Sequence, residues 1–533
     1  MPRPPIDRRA LLAAAGGLAT LAAPALSVAG IDTGVIVRTR HGRVRGRRQD
    51  AVSVFKGIPY GADTAETRFA PPKPPRPWRG VLEADRWGPV APQPPDGAPQ
   101  GYLPVEPEQP RSEDMLKLNV WTPAADRAGR PVLVWLHGGG FSSLSANSLL
   151  YDGSNLSAAG DVVVVSLNHR LNLFGFLHAP NGGEAFADSG NAGMLDIVLA
   201  LQWVRDNIAA FGGDPGKVTL FGHSGGGAKA SVLMAMPAAR GLFHRVMTIS
   251  GQQVTVTPSE MAAETTRRVM TQAGLDPADP AALKSLSMRQ LITLGRGAYW
   301  GPVLDGRSLT RHPFEPDATP LSRDVPLIMG NTHDETRVLI GGANPDLFSL
   351  GWDDVPAALT RHIPQFLGAL SAEAVVAWYR DLHPSYSPSD VFFAATTALR
   401  SWRAQVIQAD RRAAQPGART WVYQFDWKSP AMGGRWGAPH YGDVPFVFGN
   451  ARRVPSMTGG GPETEPLMKS MMSALLNFAR TGDPNGAGVP DWPTYDLATR
   501  MTMQFDTLSR ATADPRGEER RLLALIPYRQ PGT

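Results

Sequence analysis

A short stretch at residues 218–227 constrains the fold of this chain most strongly. Four apolar or β-prone residues run directly into Gly222-His223-Ser224-Gly225-Gly226, and a helical pattern follows as far as Met236. This order predicts a strand, a sharp turn and a helix, with Ser224 at the turn. The flanking glycines are needed because a Cβ at either position would collide with the neighbouring strand or helix. The turn therefore presents the Ser224 hydroxyl to a ligand at the edge of a sheet.

A serine in this position has the surroundings of a nucleophile that generates an oxyanion. The positive end of the following helix dipole and the backbone N–H of Gly225 both favour negative charge beside the hydroxyl. A Gly-x-Ser-x-Gly pattern also occurs by chance in a chain with 56 glycines. The strand before the serine and the helix after it are the context that the motif requires, and a functional interpretation also needs partner groups elsewhere in the chain.

A second glycine-rich turn follows another strand. Residues 131–136 form a continuous apolar run, typical of a strand that is covered on both faces in a parallel sheet. The run ends in His137-Gly138-Gly139-Gly140-Phe141, and these three glycines indicate that the backbone itself approaches a ligand closely. We expect the N–H groups of Gly139 and Gly140, with that of Gly225 as a third donor, to form an oxyanion hole.

The order of apolar segments predicts an α/β fold with a large, mostly parallel sheet. Besides those already named, the predicted elements are strands at 161–168, 246–250, 325–330 and 421–425 and helices at 195–211 and, as an insertion, 258–294. Strands that alternate with helices are typical of doubly wound α/β sheets. An antiparallel hairpin with six arginines is predicted at 35–54. We interpret its charges as the solvated face of an edge ribbon rather than as a site for a polyanion.

Acidic and histidine side chains follow two of the predicted strands. Asp334 and Glu335 come after the strand at 325–330, and His440 lies in a loop after the strand at 421–425. Both loops leave the carboxyl edge of the sheet, where Ser224 also emerges and where open α/β sheets bind their ligands. A carboxylate and an imidazole are the partners that a serine nucleophile needs.

These segments resemble the type B carboxylesterases, the family that includes the cholinesterases and bacterial broad-range esterases. The similar stretches are 112–121, 137–141, 168–177, 201–227, 301–306, 334–335 and 440–449. The resemblance implies an α/β-hydrolase fold with helical insertions over the active site, and hydrolysis of small-molecule carboxylic esters through an acyl-enzyme. It implies Ser224 as nucleophile, His440 as general base and then acid, and Glu335 as the carboxylate that orients His440. Asp334 is the rival for the acidic role, and the family pattern favours Glu335.

The chain departs from the family pattern at several positions. The two cysteines that usually close a disulfide before the Ser-Glu-Asp motif are replaced by Ala91 and Met115. The loop between them lacks the tryptophan with which cholinesterases hold a quaternary ammonium, so a choline ester is not expected as the preferred substrate. His223 and Gly225 stand where glutamate and alanine are usual, and Thr336 where glycine is common. The two replacements beside the serine keep the N–H groups of the oxyanion hole, so we expect activity with altered selectivity.

The composition excludes several classes of function. The formal net charge of +5 is too small for a nucleic-acid-binding protein of this length. The absence of cysteine removes thiol nucleophiles, disulfides and thiolate metal sites. The 11 histidines show no metal-ligand spacing, so neither a catalytic metal nor another cofactor is expected.

Residues 1–29 are predicted to be a twin-arginine export signal. Arg8-Arg9 precede a mildly apolar stretch, and Ser27-Val28-Ala29 has small residues at the two positions that a signal peptidase recognises. The alternative is a membrane anchor, but the stretch contains glycines, a threonine and a proline and is short and weakly apolar for one. We therefore expect cleavage after Ala29, a single catalytic domain over residues 30–533, a periplasmic or secreted location and no stable membrane span.

Two further functions are compatible with this kind of fold. A non-catalytic binding or adhesion protein is expected to have a broken triad, whereas all three members are present in this chain. A lipase or an amidase would use the same triad. Activity on emulsified long-chain esters, compared with soluble short-chain esters, separates a lipase from an esterase.

Overall fold

The structure, a computed structural model, describes residues 34–95, 102–104 and 106–530. The export signal predicted at residues 1–29 lies outside these ranges. The strands of the described residues are β1 (Ile36–Arg38), β2 (Arg43–Arg45), β3 (Arg47–Gln49), β4 (Val52–Pro59), β5 (Val81–Glu83), β6 (Lys117–Thr122), β7 (Arg130–Leu136), β8 (Val163–Leu167), β9 (Gly213–His223), β10 (Arg245–Ile249), β11 (Thr257–Pro258), β12 (Val303–Leu304), β13 (Leu327–Thr332), β14 (Thr420–Phe425), β15 (Met501–Phe505) and β16 (Arg510–Ala513).

Eleven of these strands form one sheet. Their order across the sheet is β16, β15, β14, β13, β10, β9, β7, β8, β6, β4, β3. Neighbours from β15 to β8 are parallel, and the pairs at both margins are antiparallel. The central strands are apolar throughout because parallel strands are covered by helices on both faces. The predicted large, mostly parallel sheet is therefore confirmed.

Helices cover the sheet and form the predicted insertion. The α-helices of the described residues are α1 (Ser154–Gly160), α2 (Asn172–Phe176), α3 (Ala192–Asn207), α4 (Gly225–Leu233), α5 (Ser259–Gln272), α6 (Met288–Leu294), α7 (Glu335–Leu339), α8 (Val355–His362), α9 (Pro364–Leu367), α10 (Ala372–Leu382), α11 (Pro388–Thr397), α12 (Arg403–Ala413), α13 (Val444–Val447), α14 (Pro455–Thr458), α15 (Thr464–Thr481) and α16 (Gly517–Leu523). A π-helical turn, Ala398–Trp402, joins α11 to α12. Within the described ranges, none of the helices has the length and hydropathy needed to cross a bilayer.

The segment at 35–54 differs from the single hairpin that the alternation predicts. Strands β1 and β2 pair with each other and, through β5, form a separate three-stranded sheet, whereas β3 pairs with β4 at the margin of the main sheet. The chain changes sheets at Gly46, where a Cβ would lie 2.6 Å from the carbonyl oxygen of Val54. Alternation of side chains with a period of two identifies strands but does not show which strands pair. The sequence pattern therefore could not distinguish the β1–β2 pair from the β3–β4 pair. The arginines are exposed or partly exposed, as predicted for a solvated ribbon.

The core lies on both faces of the main sheet. Alternate side chains of β7 enter two different hydrophobic clusters, with Val132 and Val134 on one face and Leu133 and Trp135 on the other. A third cluster packs within the helices from α8 to α12. Residues 91 and 115, where relatives carry cysteines, are an alanine and a methionine buried in the first cluster.

The register of β9 determines where the two glycine-rich turns meet. Gly222 at the end of β9 is opposite Leu136 at the end of β7, and His223 is opposite Ile249 at the end of β10. Because parallel strands end at the same edge, the loop that begins at His137 starts beside the turn that contains Ser224. Strand β9 begins earlier than the apolar pattern suggests, at Gly213.

Candidate active site

Ser224 occupies a strained turn between β9 and α4. Its backbone has φ 54° and ψ −124°, a conformation that is rare for a residue other than glycine. A Cβ on Gly222 would lie 2.5 Å from the backbone of Gly226, and a Cβ on Gly226 would lie 1.9 Å from the carbonyl oxygen of Leu136. The predicted strand, turn and helix are confirmed, and these two glycines are required by close backbone packing.

The loop after β7 lies directly against this turn. Gly139 and Gly140 have φ angles of 80° and 60°, and the carbonyl oxygen of Gly139 accepts hydrogen bonds from the N–H groups of Ser142 and Ser143. A Cβ on Gly225 would lie 2.1 Å from the carbonyl oxygen of Gly140, so the alanine usual at position 225 would not fit this loop conformation. In the described part of the chain, the N–H groups of Gly139, Gly140 and Gly225 donate to no protein acceptor. Among the described residues, these three N–H groups are therefore without a protein acceptor, in segments that lie next to Ser224.

His440 and Glu335 form a buried pair. His440 Nδ1 is hydrogen-bonded to Glu335 Oε2, and the exposed fractions of the two side chains are 3% and 0%. The other oxygen, Oε1, accepts hydrogen bonds of 3.0 Å from Asn331 Nδ2 and from the N–H of Thr332. Burial alone would raise the pKa of Glu335. The neighbouring His440 imidazole and the hydrogen bonds that the Glu335 carboxylate accepts lower that pKa below its ordinary value. An ionised Glu335 holds the proton of His440 on Nδ1 and leaves Nε2 as an acceptor.

Asp334, the rival carboxylate, has a different set of contacts. Its Oδ2 accepts a 2.9 Å hydrogen bond from the N–H of Ala438, and its own N–H donates to the carbonyl oxygen of Ala438 over 2.8 Å. Its Oδ1 is 3.2 Å from Nδ1 of His333. Asp334 therefore fixes the loop at Ala438, two residues before His440, and the carboxylate that contacts His440 is that of Glu335.

Ser224 and His440 line the same cavity, whose volume is about 330 Å³. This volume is within the range of small-molecule sites. Among the described residues, no hydrogen bond joins Ser224 Oγ to His440 Nε2, and Nε2 has no other protein partner. Catalytic hydrogen bonds are often long before substrate binds and shorten in the complex. Ser224 and the His440 imidazole, whose Nε2 is buried without a partner in the described part of the chain, are thus in the wall of one cavity.

His223, at the position of the usual glutamate, packs against two rings of the site. Its ring centroid is 4.4 Å from that of His440 and 3.9 Å from that of Tyr441. Burial and, secondarily, His440 lower the pKa of His223 well below its ordinary value. A neutral imidazole thus replaces a side chain that would carry a negative charge next to His440.

Thr336, where glycine is common, ties the turn of Glu335 to helix α11. Its hydroxyl is 2.7 Å from the hydroxyl of Thr396 and 2.9 Å from that of Thr397, and it donates to the carbonyl oxygen of Phe393 over 3.0 Å. The whole network is buried. The threonine therefore contributes side-chain hydrogen bonds that a glycine cannot provide.

Lys229 is a site residue that the sequence patterns do not identify. The side chain is fully buried, and its Nζ donates to the carbonyl oxygens of Gly140 over 2.8 Å and His137 over 3.1 Å. Burial lowers the pKa of Lys229 to about 7. The ammonium therefore holds both ends of the loop that supplies the N–H groups of Gly139 and Gly140. The available signal was a lysine within an otherwise apolar helical segment.

The chain is similar to known carboxylesterases over most of its length. The model of the Carboxylesterase family matches residues 33–521. The para-nitrobenzyl esterase of Bacillus subtilis (strain 168) is 36% identical over 505 residues, which cover 92% of this chain and 98% of that protein. The phenmedipham hydrolase of Pseudarthrobacter oxydans is 34% identical over 479 residues, with 86% and 92% covered. The crystal structure of a carboxylesterase from Geobacillus stearothermophilus has a TM-score of 0.80 at 40% identity and covers 91% of this chain and 99% of its own.

Proposed function

Because this chain belongs to the carboxylesterase family and is a carboxylic ester hydrolase, we propose that Ser224, His440 and Glu335 are its catalytic triad. The observation that carries the proposal is the buried hydrogen bond between His440 and Glu335 in the wall of the cavity that Ser224 also lines. The proposal includes Gly139, Gly140 and Gly225 as donors to the oxyanion. No step of this chemistry requires a cofactor.

The first half of the reaction forms an acyl-enzyme. His440 Nε2 accepts the proton of the Ser224 hydroxyl as Oγ attacks the ester carbonyl carbon. The carbonyl electron pair moves onto oxygen, and the three free N–H groups stabilise the resulting negative charge. Collapse of this tetrahedral intermediate breaks the bond to the alcohol oxygen, which receives the proton from His440. The ionised Glu335 stabilises the imidazolium that exists between these two steps.

The second half repeats the sequence with water. His440 takes a proton from the water that attacks the acyl carbon, the same N–H groups stabilise the second oxyanion, and Ser224 leaves with the proton returned by His440. The products are the carboxylate and the alcohol. The buried Lys229 ammonium contributes by holding the carbonyl oxygens of His137 and Gly140, so that the donor loop does not have to reorganise during the reaction.

Hydrolysis of p-nitrophenyl acetate and p-nitrophenyl butyrate by residues 30–533 tests the proposal. We expect the Ser224→Ala variant to lose on the order of 10⁶-fold in kcat, because no other group supplies the nucleophile. Ser285→Ala is the control for the loss of a serine, since Ser285 is exposed and does not line the cavity, and it should stay within a few fold of the parent. A folded Ser224→Ala variant with parental activity would remove Ser224 from the mechanism.

The substrates are proposed to be small, soluble esters. The cavity of about 330 Å³ accommodates a short acyl or alcohol group. We expect faster turnover of soluble short-chain esters than of emulsified long-chain esters or of the corresponding amides. The opposite order would identify a lipase or an amidase that uses the same residues.

Export by the twin-arginine route is proposed for the N-terminal segment. The support is the order Arg8-Arg9, a mildly apolar stretch and small residues at Ser27 and Ala29. Sequencing the N-terminus of the protein isolated from its native host should give Gly30. Met1 at that terminus, or retention of the protein with the cytoplasmic fraction, would contradict export with cleavage.

A further inference from the structure

We propose that Arg400 forms an anion subsite inside the catalytic cavity, so that the preferred substrates are esters carrying a second, ionised carboxylate. Half-esters of dicarboxylic acids are the simplest compounds of this class. The inference rests on the proposed function, because the cavity that contains Arg400 is the one lined by Ser224 and His440.

The backbone brings Arg400 into the cavity through an irregular turn. Helices α11 and α12 are joined without a break by the π-helical turn Ala398–Trp402. A π-turn inserts one extra residue into a helix, changes the direction of the side chains around it and is frequent at functional sites. Arg400 and Ser401, both in this turn, line the cavity, as does Ala404 one turn later. The helix irregularity is thus located in the wall of the proposed active site.

The charge of Arg400 has no counter-ion in the described part of the chain. No ion pair among the described residues includes Arg400, and its hydrogen bond there is a 3.4 Å contact from Nη1 to Ser401 Oγ. Buried arginines elsewhere in the described residues have strong acceptors: Arg170 is paired with Asp196 and Arg516 with Glu519, and Arg412 donates to backbone carbonyl oxygens. Burial lowers the pKa of Arg400, but a guanidinium remains protonated at neutral pH. An unpaired cation in a partly buried cavity is costly unless a ligand supplies the opposite charge.

The acidic group whose charge acts on Arg400 already has other partners. Glu335 is close enough to Arg400 to raise its pKa, but both of its oxygens accept hydrogen bonds, from His440 on one side and from Asn331 and Thr332 on the other. No aspartate or glutamate is found among the described residues that line the cavity. An anionic group of the substrate would therefore meet a free guanidinium and no competing carboxylate.

The chemistry of the guanidinium favours a carboxylate in particular. Arginine presents paired N–H donors whose geometry matches the two oxygens of a carboxylate, and the Ser401 hydroxyl next to it is a further donor. Hydrolysis of a half-ester consumes water and gives the dicarboxylate, the alcohol and a proton. The substrate carboxylate does not react in this step, so its role is to bind Arg400 and to position the ester carbonyl at Ser224.

A comparison of matched esters tests the subsite. Monoethyl glutarate carries the carboxylate, and ethyl 5-oxohexanoate replaces that carboxylate with a neutral methyl ketone of similar shape; the release of ethanol measures both. The monoethyl esters of succinic and adipic acid place the carboxylate closer to the ester and farther from it. A second pair, acetoxypropanoate and acetoxybutanone, carries the carboxylate or the methyl ketone on the alcohol side of the ester. We expect kcat/KM to be about 10- to 100-fold higher for the anionic member of at least one pair, because a hydrogen bond to a charged group contributes a factor of this size.

Arg400→Met should abolish this preference, so that the anionic and neutral members of each pair have kcat/KM values within about threefold of each other. Arg400→Lys keeps the charge without the paired donors and should retain part of the preference. The proposal is overturned if the parent shows no preference for the anionic member of any pair, or if Arg400→Met loses activity equally on anionic and neutral esters, which would assign Arg400 to the charge balance of Glu335. Either result leaves the proposed triad intact, because that triad is tested separately by p-nitrophenyl butyrate and Ser224→Ala.

Discussion

At the scale of single residues, the two adjacent carboxylates have separate tasks because they contact different partners. Glu335 is bonded to His440 Nδ1, whereas Asp334 is bonded to the backbone of Ala438. The sequence places both after the same strand and cannot by itself decide between them, because one residue of register reverses the direction of a side chain. The structure separates them through contacts that span more than 100 residues of the chain.

Exchanging each carboxylate for its amide tests this separation. We expect Glu335→Gln to lower kcat by about 10²- to 10⁴-fold, because an amide neither fixes the His440 tautomer nor stabilises the imidazolium. Asp334→Asn should stay within about tenfold, since an amide oxygen still accepts the N–H of Ala438. Steady-state hydrolysis of p-nitrophenyl butyrate gives both values. If Asp334→Asn is the more impaired variant, the acidic role belongs to Asp334.

Lys229 provides a second test at the residue scale. Lys229→Met should lower kcat by roughly tenfold with little change in KM, because the donor loop loses its support and a nearby positive charge. Since burial brings the pKa of Lys229 to about 7, the ammonium is present below that pH and is lost above it. The ratio of parental to variant kcat should therefore be largest below pH 7 and decrease as the pH rises.

Lys217→Met, at an exposed lysine in β9, is the control for loss of a lysine. A loss that appears in KM alone, or a ratio that does not change with pH, would show that Lys229 only packs against the loop.

At the scale of elements, a buried aspartate in the loop between β14 and α13 makes the stability of the fold depend on pH. Asp443 precedes α13 and accepts a 2.8 Å hydrogen bond from the hydroxyl of Tyr423. Burial, reinforced by the nearby Glu335, raises the pKa of Asp443 to about 7. Between the ordinary carboxyl pKa and pH 7, the folded protein keeps a proton that the unfolded chain has released, so stability decreases as the pH rises through this window.

Asp443→Asn should remove this dependence, because an amide imitates the protonated acid and does not titrate. Urea unfolding at pH 5 and pH 8 measures it. The free energy of unfolding of the parent should fall relative to that of the variant by about 1.4 kcal/mol for each pH unit between pH 5 and the folded pKa of about 7, and stay level above it. An equal change with pH in both proteins would mean that Asp443 is ionised in the fold at pH 5.

The sequence predicts best those elements whose own pattern carries the information. Central strands such as β7 and β13 are continuous apolar runs because both faces are buried, and the turn at Ser224 is marked by glycines that close packing requires. Helices α8 to α11 have no comparable signal, because their apolar residues face a local cluster rather than the sheet. Arg400 and Lys229 are missed for a related reason: a single basic residue in a helix acquires meaning only from what the fold places beside it.

At the scale of the whole molecule, the proposed site is assembled by the order of the strands. The donor loop follows β7, Ser224 follows β9, Glu335 follows β13 and His440 lies in the loop after β14, and these four strands run parallel in the centre of one sheet with β10 between them. Parallel strands bring their carboxyl ends to one edge, so residues far apart in the chain meet there. The sequence order of serine, acid and histidine follows from this arrangement.

Covalent labelling of the intact protein tests the central claim, that Ser224 is the nucleophile, most directly. The protein is treated with a small fluorophosphonate and digested with trypsin, and the peptides are analysed by mass spectrometry. Trypsin releases residues 218–229 as one peptide, in which Ser224 is the single serine. The account predicts a stoichiometric adduct on Ser224 of this peptide, together with loss of ester hydrolysis in step with labelling. An enzyme that hydrolyses p-nitrophenyl butyrate yet carries the adduct on another residue, or carries none, would contradict it.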